Sequence, residues 1–123
     1  MQSSFEYDLY HAAREGTLFE RVYHWHRLRL IARCVERIGA PTILDYGCNT
    51  GAVLGTLMKR GFNIEGFDIS EVNLERAAAH LQHDRLTPSL YHRKLPDKTW
   101  DLVLLVSVLE YAADPTAVVE DVV

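Results

Sequence analysis

The segment from Thr42 to Arg60 constrains what this chain can fold into more than any other. Thr42-Ile43-Leu44-Asp45 is a short apolar run, held extended by the preceding Pro41 and by its β-branched pair. It breaks at Asp45-Tyr46-Gly47-Cys48-Asn49-Thr50-Gly51. From Ala52 to Arg60 the spacing becomes helical, with Val53, Leu54, Leu57 and Met58 on the inner side and Gly61 as the end signal. A strand that runs through a glycine turn into a helix opens a crossover unit, and crossover units build parallel sheets.

The rest of the chain fits that beginning. Phe19 to Ile38 reads as a helix whose inner face carries Val22, Trp25, Leu28, Ala32 and Val35, flanked by Ile31 and Ile38, and which Gly39 and Pro41 stop. Asn63 to Asp68 reads as a second strand, and Ser70 caps a second crossover helix reaching His80 or Gln82, with Glu71 in its first turn. Pro88 to Arg93 is a weak third strand. Leu102 to Val106 is a fourth, apolar on both faces as a strand between two helical layers should be. Asp114-Pro115 opens a last helix. The reading is an α/β fold: a doubly wound parallel sheet in a single domain over 1–123, with an N-terminal helical region over 1–40 and an α/β core over 41–123.

Bulk properties narrow the function. A net charge of -4 disfavours a nucleic-acid surface. No apolar run reaches membrane-spanning length, the two cysteines make no disulfide framework, and the N-terminus lacks a signal pattern, so a cytoplasmic protein is expected. His24-x-His26 and His80-x-x-His83 have spacings that metals use, but no acid or cysteine completes a set. They read as solvated helix histidines, and no metal is predicted. The arginines of the first helical region read as a solvated face, and Cys48 as a small residue filling a tight turn.

The chemistry should sit at the carboxyl ends of the strands. The first strand ends in Asp45, Gly47 and Gly51 permit turn geometry that a Cβ forbids, and the helix start after Thr50 should aim free N–H groups at a ligand. Asp68 closes the second strand, where a carboxylate can accept both hydroxyls of a ribose. These features describe a nucleoside pocket. The dinucleotide fingerprint asks for glycine where Asn49 stands, and no Gly-Lys-Ser/Thr loop exists, so the spacing suits a cofactor without a pyrophosphate.

Ile43 to Gly51 resembles the first motif of the class I S-adenosylmethionine-dependent methyltransferases. Glu65-Gly66-Phe67-Asp68-Ile69-Ser70 is similar to that family's second-strand segment. Trp100-Asp101-Leu102-Val103 through Val108-Leu109-Glu110-Tyr111 and Asp114-Pro115 is similar to its fourth-strand segment. The resemblance implies a Rossmann-like sheet of order 3-2-1-4 and S-adenosyl-L-methionine as cofactor. It implies that Asp45, Gly47, Cys48, Asn49 and Gly51 shape the methionine pocket, that Asp68 holds the ribose, that Ile69 lies against the adenine, and that Val106 and Ser107 lie near the transferred methyl. Glu110 becomes the candidate catalytic base, and Tyr7, Tyr10 and Tyr111 the candidate substrate contacts.

Three departures stand out. Asn49 replaces the usual middle glycine, which Asn tolerates because it accepts positive φ. No acid follows the third strand, where relatives contact the adenine amino group. The chain reaches Val123 without the fifth strand and final antiparallel pair that the resemblance implies, so it reads as truncated after strand 4, or as covered at the strand-4 edge by a homodimer mate or partner chain. The function expected is methyl transfer to a small-molecule acceptor. The alternatives are a non-catalytic cofactor-binding fragment, a nicotinamide-dependent oxidoreductase, against which Asn49 counts, and a polyamine-synthase-like use of the same pocket.

Overall fold

The structure, a computed structural model, describes residues 16–106. The elements run α1 (Leu18–Ile38), β1 (Ile43–Tyr46), α2 (Ala52–Lys59), β2 (Ile64–Asp68), α3 (Glu71–His83), β3 (Leu90–His92) and β4 (Leu102–Leu104). The four strands form one parallel sheet of order β3-β2-β1-β4, as expected. β3 and β4 are shorter than the strands expected over Pro88–Arg93 and Leu102–Val106, and among the described residues each ladders with a single neighbour. The Tyr7 and Tyr10 sites, Ser107, Glu110, Tyr111 and the Asp114-Pro115 helix lie outside the described residues.

Local chemistry sets the helix ends. Thr17 and Glu20 form a reciprocal capping box at the start of α1, which satisfies two donors that the first turn leaves open. Gly39 takes φ 68° at its C-cap. Ser70 Oγ accepts the Asn73 N–H at the start of α3. A single carboxylate fixes the start of β4: Asp101 Oδ2 accepts both the N–H and the hydroxyl of Thr42 (3.2 and 2.8 Å), just ahead of β1.

The sheet separates two apolar clusters. On one face, α1, α2 and α3 pack through Ala32, Val35, Val53, Leu54, Leu57, Leu74 and Leu81 against Ile43 and Ile64. On the other, Leu44, Tyr46 and Phe67 are covered by Tyr91, Leu95, Trp100, Val103 and Leu105. The segment leading to β4 is pinned over this second face by Glu65 of β2, whose carboxylate accepts from Tyr91 Oη (2.8 Å) and Trp100 Nε1 (2.7 Å) and pairs with Lys98. Burial alone would raise the Glu65 pKa, but these three donors outweigh it and hold the carboxyl below its usual value.

Gly66 lies in the middle of β2, and the sequence reading assigned it no role. A Cβ there would stand 2.8 Å from Leu54 Cδ1, 3.0 Å from Cys48 Sγ and 3.0 Å from Leu90 Cδ2. The absent side chain is what lets α2 settle on the sheet.

The inward face of α1 meets expectation at Leu28, Ala32 and Val35, with Ile31 beside them, but Val22 and Trp25 are 57% exposed and Ile38 is 59% exposed, and His24 is buried instead. The helix carries apolar residues on several sides, and its packing against α2 selects the side with the small Ala32, which permits close approach. Burial, then the Arg27 charge, lowers the His24 pKa, and Tyr23 meets its ring edge-on at 5.1 Å. None of the described helices is long and apolar enough to cross a membrane.

Candidate functional site

The site is the corner between the carboxyl ends of β1 and β2, where the glycine turn leaves the sheet. β1 is buried throughout, since β2 and β4 flank it in the ladder and both faces are packed. That burial carries Asp45 to 1% exposure, although a carboxylate belongs in water unless it is paired. Asp45 Oδ1 makes no hydrogen bond. Burial, followed by the charge of Asp68, raises the Asp45 pKa to about 7.

The turn itself is stitched to β2. The N–H groups of Gly47 and Cys48 both donate to the Phe67 carbonyl (2.7 and 2.9 Å), and that of Asn49 donates to Asp68 Oδ2 (2.9 Å). Thr50 N–H donates to the Asn49 side chain (2.8 Å), and Gly51 N–H to the Cys48 carbonyl (3.1 Å). Each donor from Gly47 to Gly51 is engaged, so the free N–H groups expected of the helix start can come only from the first turn of α2. Gly47, Asn49 and Gly51 all have positive φ (87°, 52° and 93°), as the spacing requires. Asn49 in this conformation also supplies the oxygen that caps Thr50, so the departure from glycine has a local purpose. Gly51 has a second duty: a Cβ there would meet Ala77 Cβ of α3 at 3.3 Å.

Asp68 is 3% exposed. Besides the Asn49 N–H, it accepts the Ser70 N–H on Oδ1 (2.8 Å). Burial raises its pKa, opposed by those two N–H groups, by the neighbouring Asn73 carboxamide and by the charge of His92. Asn73 is itself 1% exposed, and its Nδ2 forms no hydrogen bond of sound geometry despite lying by Asp68. Asp68 therefore does more than the sequence reading assigned to it. It clamps the turn to β2 and the start of α3 to both.

Ile69, just past β2, is 58% exposed. An aliphatic side chain left in solvent at the rim of such a corner is available to a flat apolar ligand. Where an acid was sought after β3 stands His92, paired in register with Asp68, its Nε2–H donating to the Ile69 carbonyl (3.2 Å). The sequence reading missed it because the search was for a carboxylate. Val106 lies half-buried just beyond β4. Cys48 is buried, and its thiol pKa is pushed up, by burial first and then by Asp45 and Asp68. It fills the turn, as expected. Of the other histidines, His80 is not solvated as expected: its Nδ1–H donates to the Thr50 carbonyl (3.1 Å), which ties α3 to the turn.

Comparison with known proteins agrees with this geometry. The family model described as "Methyltransferase domain" matches residues 19–122. The ubiquinone biosynthesis O-methyltransferase of Psychrobacter cryohalolentis is 28% identical over 91 residues, covering 68% of this chain and 35% of the relative. The chain thus spans about a third of the length of that relative. Among solved structures, the methyltransferase domain of bacterial CtHen1-CN aligns with a TM-score of 0.65 at 28% identity, over 78% of this chain and 56% of that one. The Pyrococcus abyssi tRNA (uracil-54, C5)-methyltransferase, in complex with S-adenosyl-L-homocysteine, aligns with a TM-score of 0.55 at 28% identity, over 63% of this chain and 20% of that one.

Proposed function

This chain belongs to the class I S-adenosylmethionine-dependent methyltransferases, and from that premise we propose that it binds S-adenosyl-L-methionine at the β1–β2 corner and transfers the methyl group to an oxygen of a small-molecule acceptor. The observation that carries the reading is the pair of buried carboxylates, Asp45 and Asp68, at the ends of adjacent strands on either side of a turn of positive-φ residues. The residues present fit this cofactor. A buried, unpartnered carboxylate oxygen suits a cationic amino acid end. Asp68 keeps lone pairs for ribose hydroxyls after its two backbone bonds. Exposed Ile69 suits the adenine face.

When bound, the cofactor supplies an activated methyl on a positively charged sulfur, and the protein's part is orientation and electrostatics. Asp45, Gly47, Cys48, Asn49 and Gly51 would hold the methionine end and Val106 the methyl end, and the family resemblance would give Ser107 a role beside the methyl, Glu110 the proton of an acceptor oxygen that carries one, and Tyr7, Tyr10 and Tyr111 the acceptor contacts. The oxygen acceptor is supported by the names of the curated relatives, which are O-methyltransferases. The same names support a catalytic role over a merely cofactor-holding one.

Isothermal calorimetry with S-adenosyl-L-methionine tests the proposal. Saturable heat is expected, and folded protein that gives none at millimolar ligand would refute it. Asp68→Asn should weaken binding by about 1–3 kcal/mol, the usual loss for hydrogen bonds to a charged group. Asn retains one of the two acceptor oxygens and gives up either the Asn49 or the Ser70 bond, whereas Ala gives up both, so the urea midpoint is measured beside the affinity, and weaker binding at an unchanged midpoint reports lost contact.

A further inference from the structure

An orphaned, fully buried carboxylate oxygen needs a physical account, and Asp45 has one beyond its place in the pocket wall. Two carboxylates withdrawn from water at one corner cannot both carry charge without a cation between them. Their surroundings are unequal. Asp68 receives backbone N–H groups from Asn49 and Ser70, which stabilise its ionised form. Asp45 Oδ1 receives no hydrogen bond from the described residues. Among the described residues the titratable groups that face the pair are Cys48 in the turn, whose buried thiol stays protonated, and His92 on β3, whose charge acts on Asp68. β4 contributes Leu104 opposite Asp45, which is apolar, and α3 contributes the neutral Asn73 beside Asp68.

We infer that Asp45 holds a proton in the ligand-free protein and surrenders it to solvent when a cationic ligand enters, so that cofactor binding is coupled to the release of one proton. The carboxylic acid becomes a carboxylate, the ligand's positive charge replaces the proton, and the proton passes to buffer. The inference rests on the S-adenosyl-L-methionine reading for its ligand, but the protonation of Asp45 stands on the free protein alone. It makes Asp45 a charge sensor: a neutral nucleoside gains nothing from the exchange, whereas a ligand with an ammonium or sulfonium does. The raised pKa of Asp45 puts the exchange near neutral pH.

Two measurements decide it. In the free protein, carboxyl-carbon NMR, with the Asp45 signal assigned from its loss in Asp45→Asn, should show that group titrating within about one pH unit of 7. A midpoint in the ordinary carboxylate range overturns the inference whether or not the cofactor binds. Calorimetry with S-adenosyl-L-homocysteine, in buffers of differing ionisation enthalpy, should show close to one proton released at pH 6 and close to none at pH 8.5. Affinity should rise about tenfold per pH unit below pH 7 and level off above it, as one linked proton requires. Binding without proton release overturns the inference and leaves the cofactor reading intact. A titrating Asp45 with no binding at any pH overturns both the coupling and the cofactor reading. His92→Gln is the control, because His92 is the other ionisable group beside Asp68: release that vanishes in this variant assigns the proton to His92 and overturns the claim for Asp45.

Discussion

Gly66→Ala adds one methyl group to the most crowded point of the sheet. The new Cβ would stand 2.8 Å from Leu54 Cδ1 and 3.0 Å from both Cys48 Sγ and Leu90 Cδ2. None of the three can yield cheaply. Leu54 is fully buried, Cys48 is 3% exposed inside a turn whose every N–H is engaged, and Leu90 belongs to β3. Backbone retreat is blocked as well, since Gly66 is laddered to Asp45 on one side and to Leu90 on the other, and its N–H donates to the Ser89 carbonyl (3.0 Å). Overpacking of this kind costs about 1–3 kcal/mol. The reduced freedom of the unfolded chain returns roughly 0.5 kcal/mol of that. A net loss of about 1–2.5 kcal/mol should lower the urea midpoint without changing the slope. The double variant Gly66→Ala, Leu54→Ala sharpens the test. Leu54→Ala alone should cost roughly 2–5 kcal/mol through its cavity. The alanine methyl at position 66 then enters space that Leu54 vacated, so the double variant should be more stable than the sum of the singles by about 1 kcal/mol or more. A single variant within about 0.5 kcal/mol of the parent, or strict additivity in the cycle, refutes the packing argument.

Asp45→Asn should stabilise the ligand-free protein at neutral pH while weakening cofactor binding. The folded pKa of Asp45 is raised to about 7, so its contribution to stability is full below its unfolded value, near 4, and is lost as pH rises through 7. The gain in urea midpoint on substitution should therefore be small at pH 4.5 and large at pH 8, with a ceiling of roughly 4 kcal/mol for about three pH units; an equal effect at both pH values contradicts it. Asp101→Ala removes the acceptor that joins the approach to β4 to Thr42 and should cost about 1 kcal/mol in the same assay, and no change in midpoint would show the contact to be incidental. Thr17→Ala should cost about 1 kcal/mol by opening the capping box, with faster amide exchange confined to the first turn of α1; faster exchange spread along the whole helix would contradict a local cap.

The amino-acid order made the sheet order and the site corner legible because both depend on local signals. The change from period 2 to period 3.6 at Asp45–Ala52, the stop at Gly61 and the cap at Ser70 each act within a few residues, and β1, α2, β2 and α3 stand where those signals put them. The capping box of Thr17 and Glu20 that starts α1 is just as local, though the expectations did not include it. The inner face of α1 was legible at Leu28, Ala32 and Val35 but not in its first turns. Val22 and Trp25 are as apolar as Leu28 and Val35, and periodicity cannot say which of two apolar sides a neighbour will cover. His80 looked like a surface histidine until α3 was laid against the turn, because its partner is a main-chain carbonyl thirty residues away.

What the sequence determined by itself was the fold and an acid-glycine turn at the carboxyl end of β1, since strand, turn and helix propensities and the acid-glycine spacing are short-range properties. Tertiary structure alone decided how that corner is wired. The N–H groups of Gly47, Cys48 and Asn49 were taken up by Phe67 and Asp68 from the next strand, Asp68 became the clamp of the turn, and a glycine in β2 became a packing requirement of α2. It also left Asp45 buried with one oxygen unanswered. Desolvation and hydrogen-bond exhaustion depend on what the whole fold brings to one point, and that is information no stretch of sequence carries.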